Sequence, residues 1–152
     1  MIEFLDTETL YKPGKKYEDF YRYASEKNIK YKNLFVLMVT IGFRNNVKEK
    51  VTDQAGIEFR GSYFSEKDKL VLYTILLNDK SLDLEVNDLF DKDRFADYRM
   101  LLIEYAAGGL EYTIERYLPI GILENPEKKY LPYDLPEELL KAVYQELNVT
   151  PF

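Results

Sequence analysis

The sequence contains no cysteine, no histidine and no tryptophan. Without cysteine there is no disulfide framework, no thiolate zinc site and no cysteine nucleophile. Without histidine there is no Ser-His-Asp or Cys-His machinery, no imidazole metal ligand and no ordinary near-neutral acid/base group. Long hydrophobic runs are lacking too. The longest, Leu34 to Phe43, is interrupted by Thr40 and Gly42 and reaches about half the length of a membrane span. The opening MIEFLDTETL is acidic, unlike the basic-then-apolar layout of an export signal. These absences predict a cytoplasmic protein that is not an enzyme, with no membrane association, catalytic residue, cofactor or metal.

What is present is enough apolar material for one sizeable core: 46% of 152 residues. The net charge of −6 is unevenly spread. Residues 1–11 carry three acids and no base; residues 12–50 carry ten bases and four acids; residues 51–152 carry eleven bases and twenty acids. A basic stretch is thus set within an acidic whole. That balance argues against general coating of nucleic acid but leaves room for a local phosphate-facing patch.

No internal repeat, low-complexity segment or linker divides the chain, so residues 1–152 read as a single helical domain. Residues 1–14 form a leader ending in the turn signal Lys12-Pro13-Gly14-Lys15. Tyr17, Phe20, Tyr21 and Ala24 fall on one helical face, with Asn28 as terminator. LFVLMVTIGF is apolar nearly all round. Its Leu and Met content favours a helix capped by Asn33, with a central strand as the alternative. Residues 44–62 read as a connection, with room for one small β-hairpin in 44–64 and a short extended piece at Ile57 to Phe59. Ser65 caps the next helix, whose first turn holds Glu66 and Asp68 and whose inward residues are Leu70, Tyr73, Thr74 and Leu77. After the acidic loop 83–93, Phe95, Tyr98, Leu102, Tyr105, Gly109 and Tyr112 define a long amphipathic helix that stops at Pro119. Residues 119–136 are an irregular proline-containing segment. A final helix opens over Asp134 to Glu138 with Leu139, Val143 and Leu147 inward. The fold class is all-α, a compact domain of four to five helices.

Three features invite a functional reading. Lys12, Lys15, Lys16, Lys30, Lys32, Arg44 and Lys48, interleaved with tyrosines, are candidates for contact with nucleic acid or an acidic partner. Tyr98, Tyr105 and Tyr112 recur every seven residues; they suit either a core seam or a protein interface. Gly108 and Gly109 sit inside a strong helical pattern at a cost of about 1 kcal/mol each, which a close helix crossing or a helix break would explain. The acids of loop 83–93 offer oxygen ligands for a hard cation but lack the order of a calcium loop. Glu127-Lys128-Lys129 is the one acid–lysine triplet beside an apolar run, the minimum for a metal-dependent nuclease. A solvated, helix-preceding loop is the simpler account of the first, and chance in a chain this rich in charge is that of the second.

Three segments together resemble a known family: Ile41-Gly42-Phe43 at the end of the apolar run, Leu70-Val71-Leu72-Tyr73, and Glu104-Tyr105-Ala106-Ala107-Gly108-Gly109-Leu110. This set is similar to the small proteins associated with the DNA phosphorothioation (Dnd) systems of bacteria and archaea, over roughly residues 17–118. The resemblance implies a genome-defence setting run by multi-subunit complexes and assigns no catalytic residue. The expectation is a non-enzymatic accessory subunit that docks onto a larger ATPase or nuclease partner of an anti-phage or DNA-modification system. The alternatives are a DNA-binding adaptor using residues 12–50 and a metal-dependent nuclease using carboxylates. Self-association stays open.

Overall fold

A computed structural model of the chain describes Leu5, residues 7–118 and residues 134–149. Among the described residues there are five α-helices: α1 (Glu18–Glu26), α2 (Tyr31–Arg44), α3 (Glu66–Asn78), α4 (Phe95–Tyr117) and α5 (Leu135–Val149). The domain is mostly helical, as its periodicity predicts. One small antiparallel sheet accompanies the helices, pairing β1 (Leu10–Tyr11) with β2 (Phe59–Arg60). β2 lies within the stretch where a small hairpin was expected. Its partner, however, comes from the N-terminal leader rather than from residues 44–64. The cause is apolar burial: Tyr11 stacks on its register partner Phe59 at 5.6 Å and meets Phe64 edge-on at 5.1 Å, and Phe35 of α2 closes the cluster. The leader therefore contributes Leu5 and Tyr11 to the core.

The apolar run is helical. The N-cap of α2 is Lys30, three residues before the expected cap, so Asn33 lies inside the first turn. Asparagine ends both of the first two helices. Asn28 and Asn46 take left-handed conformations (φ 68° and 53°). After α1, Ile29 N–H donates to Ala24 C=O and Asn28 N–H to Ser25 C=O; after α2, Val47 N–H donates to Gly42 C=O and Asn46 N–H to Phe43 C=O. Each pair of bonds is a Schellman termination, which satisfies carbonyls that the helix itself leaves open.

The core is organised by α2 crossing α4 at backbone contact. A Cβ built on Gly42 would collide with the Tyr105 carbonyl oxygen, and one on Gly109 with the Met38 carbonyl oxygen. A Cβ on Gly108 would sit 2.6 Å from the Val47 carbonyl carbon and 2.8 Å from Lys48 Cα. Glycines that weaken α4 locally thus let two helices and the chain leaving α2 approach to a distance no side chain permits. A close crossing, not a helix break, explains the Ala-Ala-Gly-Gly string. α4 is continuous through it.

α3 has the expected capping box: Asp68 N–H donates to Ser65 Oγ (3.1 Å) and Ser65 N–H to Asp68 Oδ2 (2.8 Å). Its inward face agrees with expectation only in part: Tyr73 and Leu77 pack against the core. Leu72, Ile75 and Leu76 are buried, while Leu70 is 68% exposed and Thr74 faces solvent. LVLYTILL is apolar on nearly every side, so its pattern defines no unique face; the buried side is set by packing on α2 and by Asp68, which pairs with Lys32 of α2 at 2.6 Å.

Because the obstacles at Gly42 and Gly109 are backbone atoms of the opposing helix, no side-chain adjustment makes room. Gly109→Ala is expected to lower stability by about 3 kcal/mol or more, as a large loss of urea midpoint. An unchanged midpoint would show that the helices spread apart at little cost.

Candidate functional site

The seven basic candidates do not form one patch. Lys30 and Lys32 lie at the start of α2 and Arg44 at its end, about 20 Å away along a helix of 14 residues. Lys12 follows β1 and is half-buried. Lys15 pairs with Glu18 at 2.7 Å, Lys16 with Glu111 of α4 at 2.5 Å and Lys32 with Asp68. Lys48 lies 5.4 Å from the centre of the Tyr105 ring. Much of the charge that looks available in sequence is therefore matched inside the protein. Lys30 is the one of the seven at a cavity mouth with no ion pair among the described residues.

The tyrosine stripe turns inward. Tyr98 and Tyr105 are buried and Tyr112 is half-buried, so the first two present no surface to a partner. Each hydroxyl instead reaches a different element. Tyr98 donates to the Asp88 carbonyl (2.8 Å), Tyr105 to the Asp79 carboxylate at the end of α3, and Tyr112 to Glu146 of α5 (3.3 Å). Of the two readings of this stripe, the core seam is the one the packing realises.

Two buried carboxylates complete these ties. Asp79 accepts from Ser81 N–H (2.9 Å), Ser81 Oγ–H and Leu82 N–H (3.2 Å) as well as from Tyr105. Glu146, only 3% exposed, accepts from Tyr117 Oη (2.7 Å) and Tyr112 Oη and from Asn45 Nδ2 (2.7 Å) at the end of α2. Burial pushes both carboxyls up. The donated hydrogen bonds outweigh it and hold each below its ordinary value, from Ser81, Tyr105 and Leu82 on Asp79 and from Tyr117, Asn45 and Tyr112 on Glu146. Asp68 follows the same pattern: Lys32 and Ser65 overcome its desolvation.

Glu146 also rotates α5 away from the expected orientation. Leu135, Leu139, Ala142 and Glu146 face the core, while Leu147, expected inward, is 48% exposed. The acid occupies a place where periodicity asks for an apolar residue, and the outer face then carries Leu140 (70% exposed), Tyr144 (69%) and Leu147. Their spacing of i, i+4, i+7 makes a continuous apolar stripe. A shallow recess of about 400 Å³ lies there, lined by Leu140, Lys141, Tyr144 and Gln145.

A larger cavity of about 560 Å³ opens between the α1–α2 turn and β2. Ser25 of α1, Lys30, Tyr31 and Lys32 at the start of α2, and Glu58, Phe59 and Tyr63 line it. Lys32 is fixed by Asp68, and Phe59 is anchored in the aromatic cluster. No sequence motif marks this site, because its residues come from two separate stretches, 25–32 and 58–63, that the fold brings together.

Among the described residues, no three acids are gathered so that they share a cation, loop 83–93 included. Its acids are used locally: Asp88 closes a cap with Glu85 N–H (2.8 Å), and Asp91 accepts from Asp93 N–H (3.1 Å). Glu127 and Lys129 lie outside the described residues, as does the proline-containing segment up to residue 133. Among the described residues no helix is long and apolar enough to cross a membrane. The chain matches no protein-family model, no curated protein and no solved structure.

With folded-state values lowered at Asp68, Asp79 and Glu146, their contribution to stability is complete above the unfolded values of about 4 and is lost as pH falls through the folded ones. Glu146→Gln should cost about 1–3 kcal/mol at pH 7 and flatten the loss of stability below about pH 4.5. Urea titrations at a series of pH values check both; parallel curves for the two proteins would deny Glu146 that part.

Proposed function

We propose that this chain is a non-enzymatic accessory subunit that docks onto a larger protein through the outer face of α5. The observation that carries the reading is that α5 is apolar on two sides. One side is used by the core, and the other exposes Leu140, Tyr144 and Leu147 at helical spacing. Such a stripe accepts the apolar face of a partner helix, with the recess beside Tyr144 taking one of its side chains. The flank is acidic: Asp134, Glu137 and Glu138 stand against one lysine, Lys141, which lies 3.4 Å from Glu138 and 3.7 Å from Glu137. The fitting occupant is therefore an amphipathic helix with Lys or Arg beside its apolar stripe. Subunits that handle nucleic acid commonly carry such basic segments.

The biological setting is the one implied by the resemblance of Ile41-Gly42-Phe43 and the Glu104 to Leu110 string to the phosphorothioation-associated family. It is a prokaryotic anti-phage or DNA-modification system, with an ATPase or nuclease as the larger member. Both motifs map to the α2–α4 crossing, where they build the core. Cytoplasmic placement belongs to the same proposal.

Co-expression with candidate ATPase and nuclease subunits of such a system should yield a stoichiometric complex on size exclusion. Leu140→Asp combined with Tyr144→Asp should weaken that complex at least tenfold while leaving the melting temperature within a few degrees, because both residues are exposed. A chain that elutes alone beside every large subunit overturns the reading. A wild-type dimer that the double variant dissolves would assign the face to a second copy instead.

A further inference from the structure

We propose that the cavity between the α1–α2 turn and β2 binds a nucleotide, taking a planar base on its aromatic walls and the attached phosphate at Lys30. The site is distinct from the outer face of α5 and rests on different residues. Three of its seven lining side chains are aromatic: Tyr31, Phe59 and Tyr63. Phe59 is held by the ring cluster, while Tyr63 is 58% exposed, so one wall is fixed and the other stands at the mouth. Base–aromatic stacking asks for such surfaces and tolerates any base.

The polar lining completes the match. Lys32 spends its charge on Asp68, but Lys30 has no ion pair among the described residues, and the hydroxyls of Ser25 and Tyr63 are not used in hydrogen bonds there. One uncommitted cation with neutral donors suits a phosphate of low charge. Glu58, exposed on the same lining, repels a phosphate but accepts from an exocyclic amino group or a sugar hydroxyl. The two charges therefore orient the ligand, phosphate toward Lys30 and base or sugar donors toward Glu58.

Other occupants fit less well. A purely apolar ligand would cover Lys30, Glu58 and the hydroxyls without replacing their water. A lone inorganic anion leaves the aromatic walls and most of about 560 Å³ unused. A divalent cation finds one carboxylate on the lining, too few for an oxygen-ligated site. The same chemistry is presented by a free nucleoside monophosphate and by one unit of a single strand.

The test compares adenosine and cytidine monophosphates by calorimetry with fluorescein-labelled single-stranded 12-mers by anisotropy, at about 50 and 200 mM salt. Inorganic phosphate is the control. Binding should fall roughly tenfold or more in Tyr63→Ala and likewise in Lys30→Gln, with inorganic phosphate far weaker than either monophosphate. Both substituted residues are exposed, and an unchanged circular dichroism melt confirms folding. Monophosphates binding as tightly as strands assign a free nucleotide; tighter, salt-sensitive strand binding assigns a strand unit. Absence of binding in both arms overturns the proposal. So does binding that neither substitution weakens, or inorganic phosphate binding as well as the nucleotides. The Leu140→Asp, Tyr144→Asp variant should retain full nucleotide binding, so failure of one proposal is separable from failure of the other.

Discussion

The structure depends on one constraint: α2 and α4 meet with no side chain between them. Gly42 lies against the Tyr105 carbonyl and Gly109 against that of Met38, so relative translation and rotation of the two helices are fixed by backbone shape. The rest of the molecule takes its position from that contact. The Schellman turn after Arg44 brings Val47 over Gly108, which sends the chain along α4, where Glu49 N–H donates to the Glu104 carbonyl. Asn45, on the same turn, reaches Glu146 of α5. A shift of α4 by even one residue would break all of these together.

Polar ties fasten the outer elements to that frame. Tyr98, Tyr105 and Tyr112 each bury a ring in the α4 seam and extend a hydroxyl to a separate element. Tyrosine suits the task because the ring gains from burial while its tip satisfies a buried acceptor. Phenylalanine would supply the first gain and strand Asp79 or Glu146 with a donor missing. A seven-residue period thus serves helix-to-loop, helix-to-α3 and helix-to-α5 attachment in turn.

The legible part of the sequence was local and periodic. Tyr17 to Ala24, the Ser65 cap, the α4 stripe and the Asn28 terminator follow rules that act within a few residues, and the structure places them as those rules predict. Position within the tertiary frame was less legible. LVLYTILL is apolar on too many sides to name its buried face. Glu146 reads as a surface acid until Asn45, Tyr112 and Tyr117, from two other helices, converge on it. The cavity has no local signature either. Tyr31 and Tyr63 come to one cavity where Phe59 of β2 packs on Phe35 of α2, and Lys15, Lys16 and Lys32 are paired with acids far away in sequence or a turn along the helix. The double glycine was the exception, since its local cost announced a long-range contact before that contact was known.

The sequence distance spanned by the crossing has a consequence in time. Gly42 and Gly109 are about 67 positions apart, so α2 is synthesised long before the surface that covers it. At roughly 5–20 residues per second, a ribosome needs several seconds to deliver α4. Throughout that interval LFVLMVTIGF, apolar around nearly its whole circumference, has no native partner for most of its surface. The aromatic cluster of Tyr11, Phe35, Phe59 and Phe64 can assemble earlier and shield one end of the helix. The glycine-bearing face of α2 is left uncovered until α4 emerges, so the fold closes only after the first two-thirds of the chain is made.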